Sequence, residues 1–524
     1  MSSWVNTIPQ AAPGTNRNSI HHGGENSIPL SIFPMKVRDK FCFAFCGLPA
    51  RGKTHIASRV ARYLEFFHLL PVQIFNVAEY RRTLHGSVSD AEWFDSANSS
   101  GVKIREECNR AAINAMVEFL NSSENGVAVL DSTNSTYERR KKVADAVNSA
   151  GAKLIWIEVS STITSDIDEH IKEVVKGCPD YKDVEYTLAQ LDYRKRLEKY
   201  EILYEALDDG THDDESNWCY FKCDHGCHRF TCHRVRGHLP LKVVHFIMNL
   251  RNSPHAFYLT RHGQSLYNVV GRIGGDSGLS EYGVEYAKKL AEFVEEKITH
   301  DADGNQVPAR LWTSTMNRTC ETAQFIKHDK CMVIDEEEGV EMEWLQMRQR
   351  RWHHLDELFA GQCDGMTYQE IEKKFPSEFE RRQKDKLAYR YPRGESYLDV
   401  IARLEPIIIE MERHREPLLI IAHQAVLRIV YAFYCGLSRE EAPYVSIPLN
   451  TVVEMAPSPF GCRTERYVLY KPPEVKSDGQ DEPMAATTSN GKNESNTTFS
   501  GLSKQLQQAS VDQLHLRDVD PPSH

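Results

Sequence analysis

The sequence predicts an α/β protein of two domains, and three observations carry that prediction. Phe41 to Cys46, Val127 to Leu130 and Leu154 to Val159 are continuous apolar runs, the pattern of parallel strands covered on both faces. Between them, Thr54 to Leu64 places Ile56, Ala57, Val60, Ala61 and Leu64 on one helical face,. Strands alternating with helices give an α/β sheet. A second series of the same kind begins near Ala256, with strands at Phe257 to Thr260 and Leu418 to Ala422 and a helix at Val400 to Met411. The break falls around Leu250 to Pro254, where Asn252-Ser253-Pro254 interrupts the pattern. The expected domains are therefore 37–252 and 253–472. A flexible arm, 1–36, is rich in Asn, Ser, Gly and Pro. From Pro473 to His524 the chain is too polar to offset its ordering entropy, and a disordered tail is expected.

Bulk properties narrow the function. The chain has 524 residues, 41% hydrophobic and 26% charged, with a net charge of -11. That charge argues against a general nucleic-acid binder, which needs cationic surface. No apolar run approaches the ~20 residues that span a bilayer, and Met1 to Gly24 lacks the apolar core of a signal peptide. The 13 cysteines are expected as reduced thiols of a cytoplasmic protein,. Triplets such as Asn134-Ser135-Thr136 are then incidental.

The loop Gly47-Leu48-Pro49-Ala50-Arg51-Gly52-Lys53-Thr54 follows a predicted strand and opens a predicted helix. This is the context that makes G-x-x-x-x-G-K-[ST] a nucleoside triphosphate loop. Its glycines let backbone N–H groups turn toward phosphate oxygens, and the helix start adds roughly half a positive charge. Lys53 would reach the terminal phosphates and Thr54 would ligate Mg²⁺. Asp131, at the end of the Val127 strand, supplies the second metal-side contact.

Two further strands end in histidines, at Arg261-His262-Gly263 and Ala422-His423-Gln424. A neutral His262 would attack phosphorus and form a phosphohistidine. Arg261 and Arg318 would clamp phosphoryl oxygens, His423 would neutralise charge opposite, and Asn268 follows the first motif closely. The leaving alkoxide needs a general acid, for which Glu357 is the candidate.

With these motifs the chain resembles the bifunctional 6-phosphofructo-2-kinase/fructose-2,6-bisphosphatase family over residues 38 to 472. The resemblance rests also on Tyr80-Arg81-Arg82, Asp131-Ser132-Thr133-Asn134, Glu138-Arg139-Arg140 and Pro179-Asp180-Tyr181. In the second half it rests on Gly271 to Ser280, Met366-Thr367-Tyr368, Arg390 to Tyr397 and His423 to Val426. It implies a nucleotide-kinase-like P-loop domain followed by a phosphoglycerate-mutase-like histidine-phosphatase domain. It implies Mg²⁺ and ATP in the first half and no cofactor in the second. Arg81, Arg105, Thr133, Arg139, Arg196 and Tyr200 would hold fructose 6-phosphate. Tyr368, Arg382, Lys386, Arg390, Tyr397, Gln424, Arg428 and the backbone at Gly274 would hold fructose 2,6-bisphosphate, with Lys386 and Arg390 on the 6-phosphate. A homodimer through the kinase half is also implied.

The chain departs from the family pattern in places. The family's substrate lysine falls on Val175, with Lys176 one residue later, about 100° around a helix. Ser161, Tyr137 and Gln264 replace the family's Cys, Arg and Glu. His300 to Pro308 and Glu336 to Arg350 look inserted, the second as a solvated excursion or a gate beside Glu357. Arg348 to Arg351 reads as a solvated helix face, or less simply as a basic docking patch. Cys223, His225, Cys227, His228, Cys232 and His233 have near-zinc spacing, but strand alternation would split them between faces. Two further readings stay open: a bisphosphatase with an impaired, regulatory kinase domain, and a catalytically silent metabolite-sensing scaffold.

Overall fold

The computed structural model describes residues 39–473, apart from 209, 225–228, 251–255, 302–303, 335–338 and 459–460. The arm at 1–36, the tail beyond 473 and most of the join at 250–254 lie outside the described residues.

The first sheet has strands β1 (Phe41–Cys46), β2 (Val72–Asn76), β3 (Val127–Asp131), β4 (Lys153–Val159), β5 (Tyr220–Asp224) and β6 (Arg229–His233). Their order is β2-β3-β1-β4-β5-β6, parallel except for β6. Both faces of β1 and β3 are buried, which is why those strands read as unbroken apolar runs. Helix Lys53–His68 buries the predicted Ile56, Ala57, Val60, Ala61 and Leu64. Strand β2 was not predicted: Val-Gln-Ile-Phe-Asn is half-polar and only Phe75 is buried. Because β3 pairs with both β1 and β2, the ends of all three strands meet, Asn76 lying opposite Asp131. Open parallel sheets bind ligands at such strand ends.

The second sheet holds β7 (Phe257–Arg261), β8 (Arg310–Thr313), β11 (Gln349–Arg351), β12 (Leu418–Ala422), β13 (Thr451–Ser458) and β14 (Gly461–Val468). The order is β11-β8-β12-β7-β13-β14, with β13 and β14 antiparallel. Strands β7 and β12 are neighbours in register, Ala422 opposite Arg261, so His262 and His423 leave the sheet side by side. The helix predicted at Val400 to Met411 runs from Tyr397 to Arg413 and accommodates Pro406.

The run Arg348 to Arg351 corrects the sequence reading. It is not on a helix: Gln349–Arg351 pairs with β8 as an edge strand. An edge needs one paired side and tolerates charge on the other, and the Arg350 guanidinium lies 3.9 Å from the Trp352 ring centroid. The insertion before it contributes β10 (Glu341–Leu345), which pairs antiparallel with β9 (Lys330–Ile334) just ahead of the insertion and is mainly exposed. The shorter insertion closes on a His300–Gln306 bridge. Of the Cys/His cluster, Cys223 lies opposite Phe230 on paired strands β5 and β6, and Cys232 opposite Phe221; His225, Cys227 and His228 lie outside the described residues. Among the described residues no group of three or more His, Cys, Asp or Glu side chains has the arrangement of a metal site.

The two halves meet through helices that start at the strand ends just described. Helix Gln424–Tyr434 begins directly after His423. Its C-terminal carbonyls are bonded by Arg62 of helix Lys53–His68, at 2.9 Å to Ala432 and 3.1 Å to Phe433. In return Arg439 donates to the carbonyl of Phe66, near the end of the first helix. Arg59 pairs with Glu412, both buried, and its guanidinium lies 4.8 Å from the Tyr434 ring centroid. Tyr63 donates to Glu405 at 2.6 Å. Removing one member of a buried pair leaves the other charge uncompensated. Glu412→Ala is therefore expected to destabilise the protein by about 3–5 kcal/mol in chemical denaturation; a loss below ~1 kcal/mol would show that the pair is not buried in solution.

Candidate active sites

The first cleft opens where β1, β2 and β3 end. Gly47 takes φ 127°, and a Cβ there would lie 2.3 Å from the Val159 carbonyl oxygen. Only glycine fits so close to the next strand. Gly52, at φ 79°, caps the helix without any side-chain bond to its N–H groups, which leaves those donors for an anion. Lys53 is buried and turns back to donate to the Leu48 carbonyl at 2.5 Å. Burial lowers its pKa from 10.5 to about 8, with Asp131 opposing. Burial raises the Asp131 pKa, while hydrogen bonds from Thr54 and Asn76 and the charge of Lys53 oppose the rise. The Asn76 amide donates to Asp131 at 2.6 Å.

Pro49 to Thr54, Asp131 and all six predicted sugar-side residues, Arg81, Arg105, Thr133, Arg139, Arg196 and Tyr200, line this one cleft. Gly47 and Leu48, also predicted to hold the nucleotide, are not in its lining. Seven cationic side chains (Arg51, Lys53, Arg81, Arg82, Arg105, Arg139, Arg196) face three carboxylates (Asp131, Glu173, Asp180), a balance suited to two phosphorylated ligands. Arg81 is held by Asp180 and Arg139 by Glu106 at 3.2 Å. Arg196 lies 3.6 Å from the Phe94 ring centroid, and its buried Nε has no partner.

The second cleft lies at the ends of β7 and β12. His262 is buried, with Nδ1 2.7 Å from the Gly263 carbonyl oxygen. A carbonyl only accepts, so Nδ1 carries the proton and Nε2 keeps a lone pair. Burial, then Arg318 and Arg261, push the His262 pKa well down, which keeps the imidazole neutral. The rings of His262 and His423 are 5.2 Å apart. Burial lowers Arg261 to about 10. Glu357 accepts from the backbone N–H of Leu358 at 2.9 Å and of Ala425 at 3.3 Å.

His262, Arg261, Asn268, Gly274, Arg318, Glu357, Tyr368, Arg382, Lys386, Tyr397, Gln424 and Arg428 line the cleft together. Six cationic side chains, with Arg272 the sixth, face one carboxylate. Burial, Arg428 and Arg382 lower Lys386 to about 8. Arg390 and His423 are the exceptions. Arg390 is half-exposed, ion-paired with Asp399 and not in the lining, because Asp399 at the start of helix Tyr397–Arg413 draws it outward. His423 is fully buried next to His262 and outside the lining.

Sequence reading gave Asn76, His170, Arg82 and Arg272 no site role. Arg82 and Arg272 sat inside recognised motifs and carried a readable signal. Asn76 sat on the unpredicted β2 and carried none. At the departures, Val175 is buried among Ile171, Tyr181 and Tyr193, whereas Lys176 is exposed near Tyr186, 6.0 Å from its ring centroid, and does not replace the lysine. Tyr137 stacks on His212 at 3.8 Å, outside the cleft. The Ser161 carbonyl accepts from Arg51 at 2.8 Å, and Gln264 accepts from Ser280 at 2.8 Å.

Comparison with known proteins matches two families, one in each half of the chain. Residues 30–254 match the 6-phosphofructo-2-kinase family and 257–469 the histidine phosphatase superfamily, branch 1. A 6-phosphofructo-2-kinase/fructose-2,6-bisphosphatase of Caenorhabditis elegans is 38% identical over 464 residues, 87% of this chain and 93% of its own. The chain belongs to the 6-phosphofructo-2-kinase/fructose-2,6-bisphosphatase family. A Gallus gallus member is 39% identical over 84% of this chain and 89% of its own. A Saccharomyces cerevisiae relative named fructose-2,6-bisphosphatase is 39% identical over 82% of this chain and 88% of its own.

The Lys53 ammonium is charged below about pH 8 and neutral above, and phosphate needs the charged form. Nucleotide affinity should be flat below that pH and weaken above it, by up to about tenfold per pH unit. Calorimetric titration with ATP across alkaline pH checks this, and a flat dependence to about pH 9.5 would contradict it.

Proposed function

We propose that the chain both makes and breaks fructose 2,6-bisphosphate, and so sets the balance of glycolysis and gluconeogenesis. The first cleft transfers the γ-phosphoryl group of ATP to the 2-hydroxyl of fructose 6-phosphate. The second hydrolyses the 2-phosphate through phospho-His262. One observation carries this reading: two separate cation-rich clefts, one built round Lys53 and Asp131, the other round His262 and Arg318.

In the first cleft catalysis is positioning and charge neutralisation. The loop backbone and Lys53 hold the phosphates, and the arginines from separate segments hold the sugar phosphate. Thr54 and Asp131 already share a hydrogen bond, and as oxygen donors they fit Mg²⁺, which would offset phosphate charge there.

In the second cleft the His262 Nε2 lone pair forms the P–N bond as the bond from phosphorus to the sugar 2-oxygen breaks. Glu357 gives that oxygen its proton, then takes one from the water that cleaves the P–N bond and releases inorganic phosphate. Arg261, Arg318 and His423 neutralise the phosphoryl oxygens. Lys386, Arg382 and Arg428 hold the 6-phosphate, the role Arg390 leaves open. The reading extends to a homodimer through the kinase half and to the cytoplasm. No helix among the described residues is long and apolar enough to cross a membrane.

A paired assay of synthesis and breakdown tests this. Lys53→Met should abolish synthesis and leave hydrolysis. His262→Ala should do the reverse and lose the acid-labile label from substrate labelled at the 2-phosphate. Retained synthesis in the first variant, or a label that survives in the second, would reject the assignments. Val175→Lys separates full from impaired kinase. The buried site should make it less stable and no faster in synthesis. A large gain in synthesis would mean that the native kinase half is impaired.

A further inference from the structure

His423 is set by a buried chain of hydroxyls. Ser314 follows β8, and its Oγ lies 2.7 Å from His423 Nε2 and 2.8 Å from Thr319 Oγ1. It also accepts from the Met316 N–H at 3.2 Å. All three side chains are buried. Thr319 donates to the Met316 carbonyl at 2.8 Å, and a carbonyl cannot donate in return. The Thr319 oxygen then accepts from Ser314, and the Ser314 oxygen accepts from Nε2–H of His423. The opposite polarity would forfeit the bond from Thr319 to Met316. His423 Nδ1, buried, has no partner, and in this polarity it carries a lone pair rather than a proton.

With Nε2 taken by Ser314, Nδ1 is the nitrogen left for a phosphoryl group on His262, whose ring is 5.2 Å away, and a lone pair there would repel a phosphoryl oxygen. The groups around His423 are Arg261 at the end of β7, His262 directly after it, Arg318 from helix Asn317–Ala323 and Arg403 from helix Tyr397–Arg413. Glu357 reaches the N–H of Ala425, two residues along the chain. Burial and these cations hold His423 neutral in the free protein. A doubly negative phosphoryl group reverses that balance.

We propose that Ser314, with Thr319 behind it, is a positioning residue that fixes His423 as the Nε2–H tautomer, so that phosphoryl binding is coupled to uptake of one proton at Nδ1. An N–H bond forms with a proton from solvent, and the proton returns when inorganic phosphate leaves. No bond from His423 to phosphorus is made. This inference rests on hydrolysis through His262 in the second cleft.

The test is the pH profile of kcat/KM for fructose 2,6-bisphosphate hydrolysis in the full chain. The substrate's own phosphates titrate alike for every variant, so differences between profiles belong to the protein. The native profile should decline with rising pH. Ser314→Ala frees His423 to carry its single proton on Nδ1. Its alkaline decline should flatten, and its rate at acid pH should fall about tenfold for the lost charged hydrogen bond. Ser314→Thr should restore the native shape. Thr319→Val serves where Ser314→Ala does not fold. Without its acceptor, Ser314 turns its proton to Nε2, and the profile should flatten in the same way. A native-shaped profile in Ser314→Ala or Thr319→Val, at any rate level, overturns the proposal. If the native chain neither hydrolyses substrate nor labels His262, the underlying assignment fails, and the proposal with it.

Discussion

The helix that leaves each phosphoryl site ends against the other domain, and both sites depend on that arrangement. Helix Lys53–His68 starts in the first cleft and helix Gln424–Tyr434 starts in the second. Each presents its positive end to its own cleft and its negative end to an arginine from the opposite half,. Arg62 and Arg439 thus fix the rear of the two helices that carry Lys53 and follow His423. Side chains that must meet phosphorus within a fraction of an ångström need such support.

Both clefts gather cations that their own carboxylates do not balance. The depressed pKa values of Lys53 and Lys386, each about 8, record the strain of holding ammonium groups out of water near other positive charge. Anionic ligands relieve that strain, so each cleft gains stability from what it binds. Burial, then the same cationic excess at Arg318 and Arg261, keeps the His262 imidazole neutral.

Much of this was legible in the sequence because it is local. A strand buried on both faces spells itself as apolar letters, and the nucleotide loop and strand-end histidines occupy consecutive positions. Edge elements were less legible. Strand β2 is short and mixed, and β11 is basic enough to pass for a surface helix. The arginines on helix Lys53–His68 look like a solvated face until the second domain covers them. Arg390 and Arg428 are chemically alike, and only the fold decides that Asp399 draws the first away while the second bonds Tyr397 at 3.2 Å. Ser314 drew no notice because its partner His423 is 109 residues away.

Among the described residues the two clefts share no lining residue, so what one releases must leave its own cleft before the other can capture it. Operated together without bias, they would only cleave ATP and regenerate the starting sugar phosphate. Two such basins on one chain are useful as a dial, turned by whatever signal slows one relative to the other.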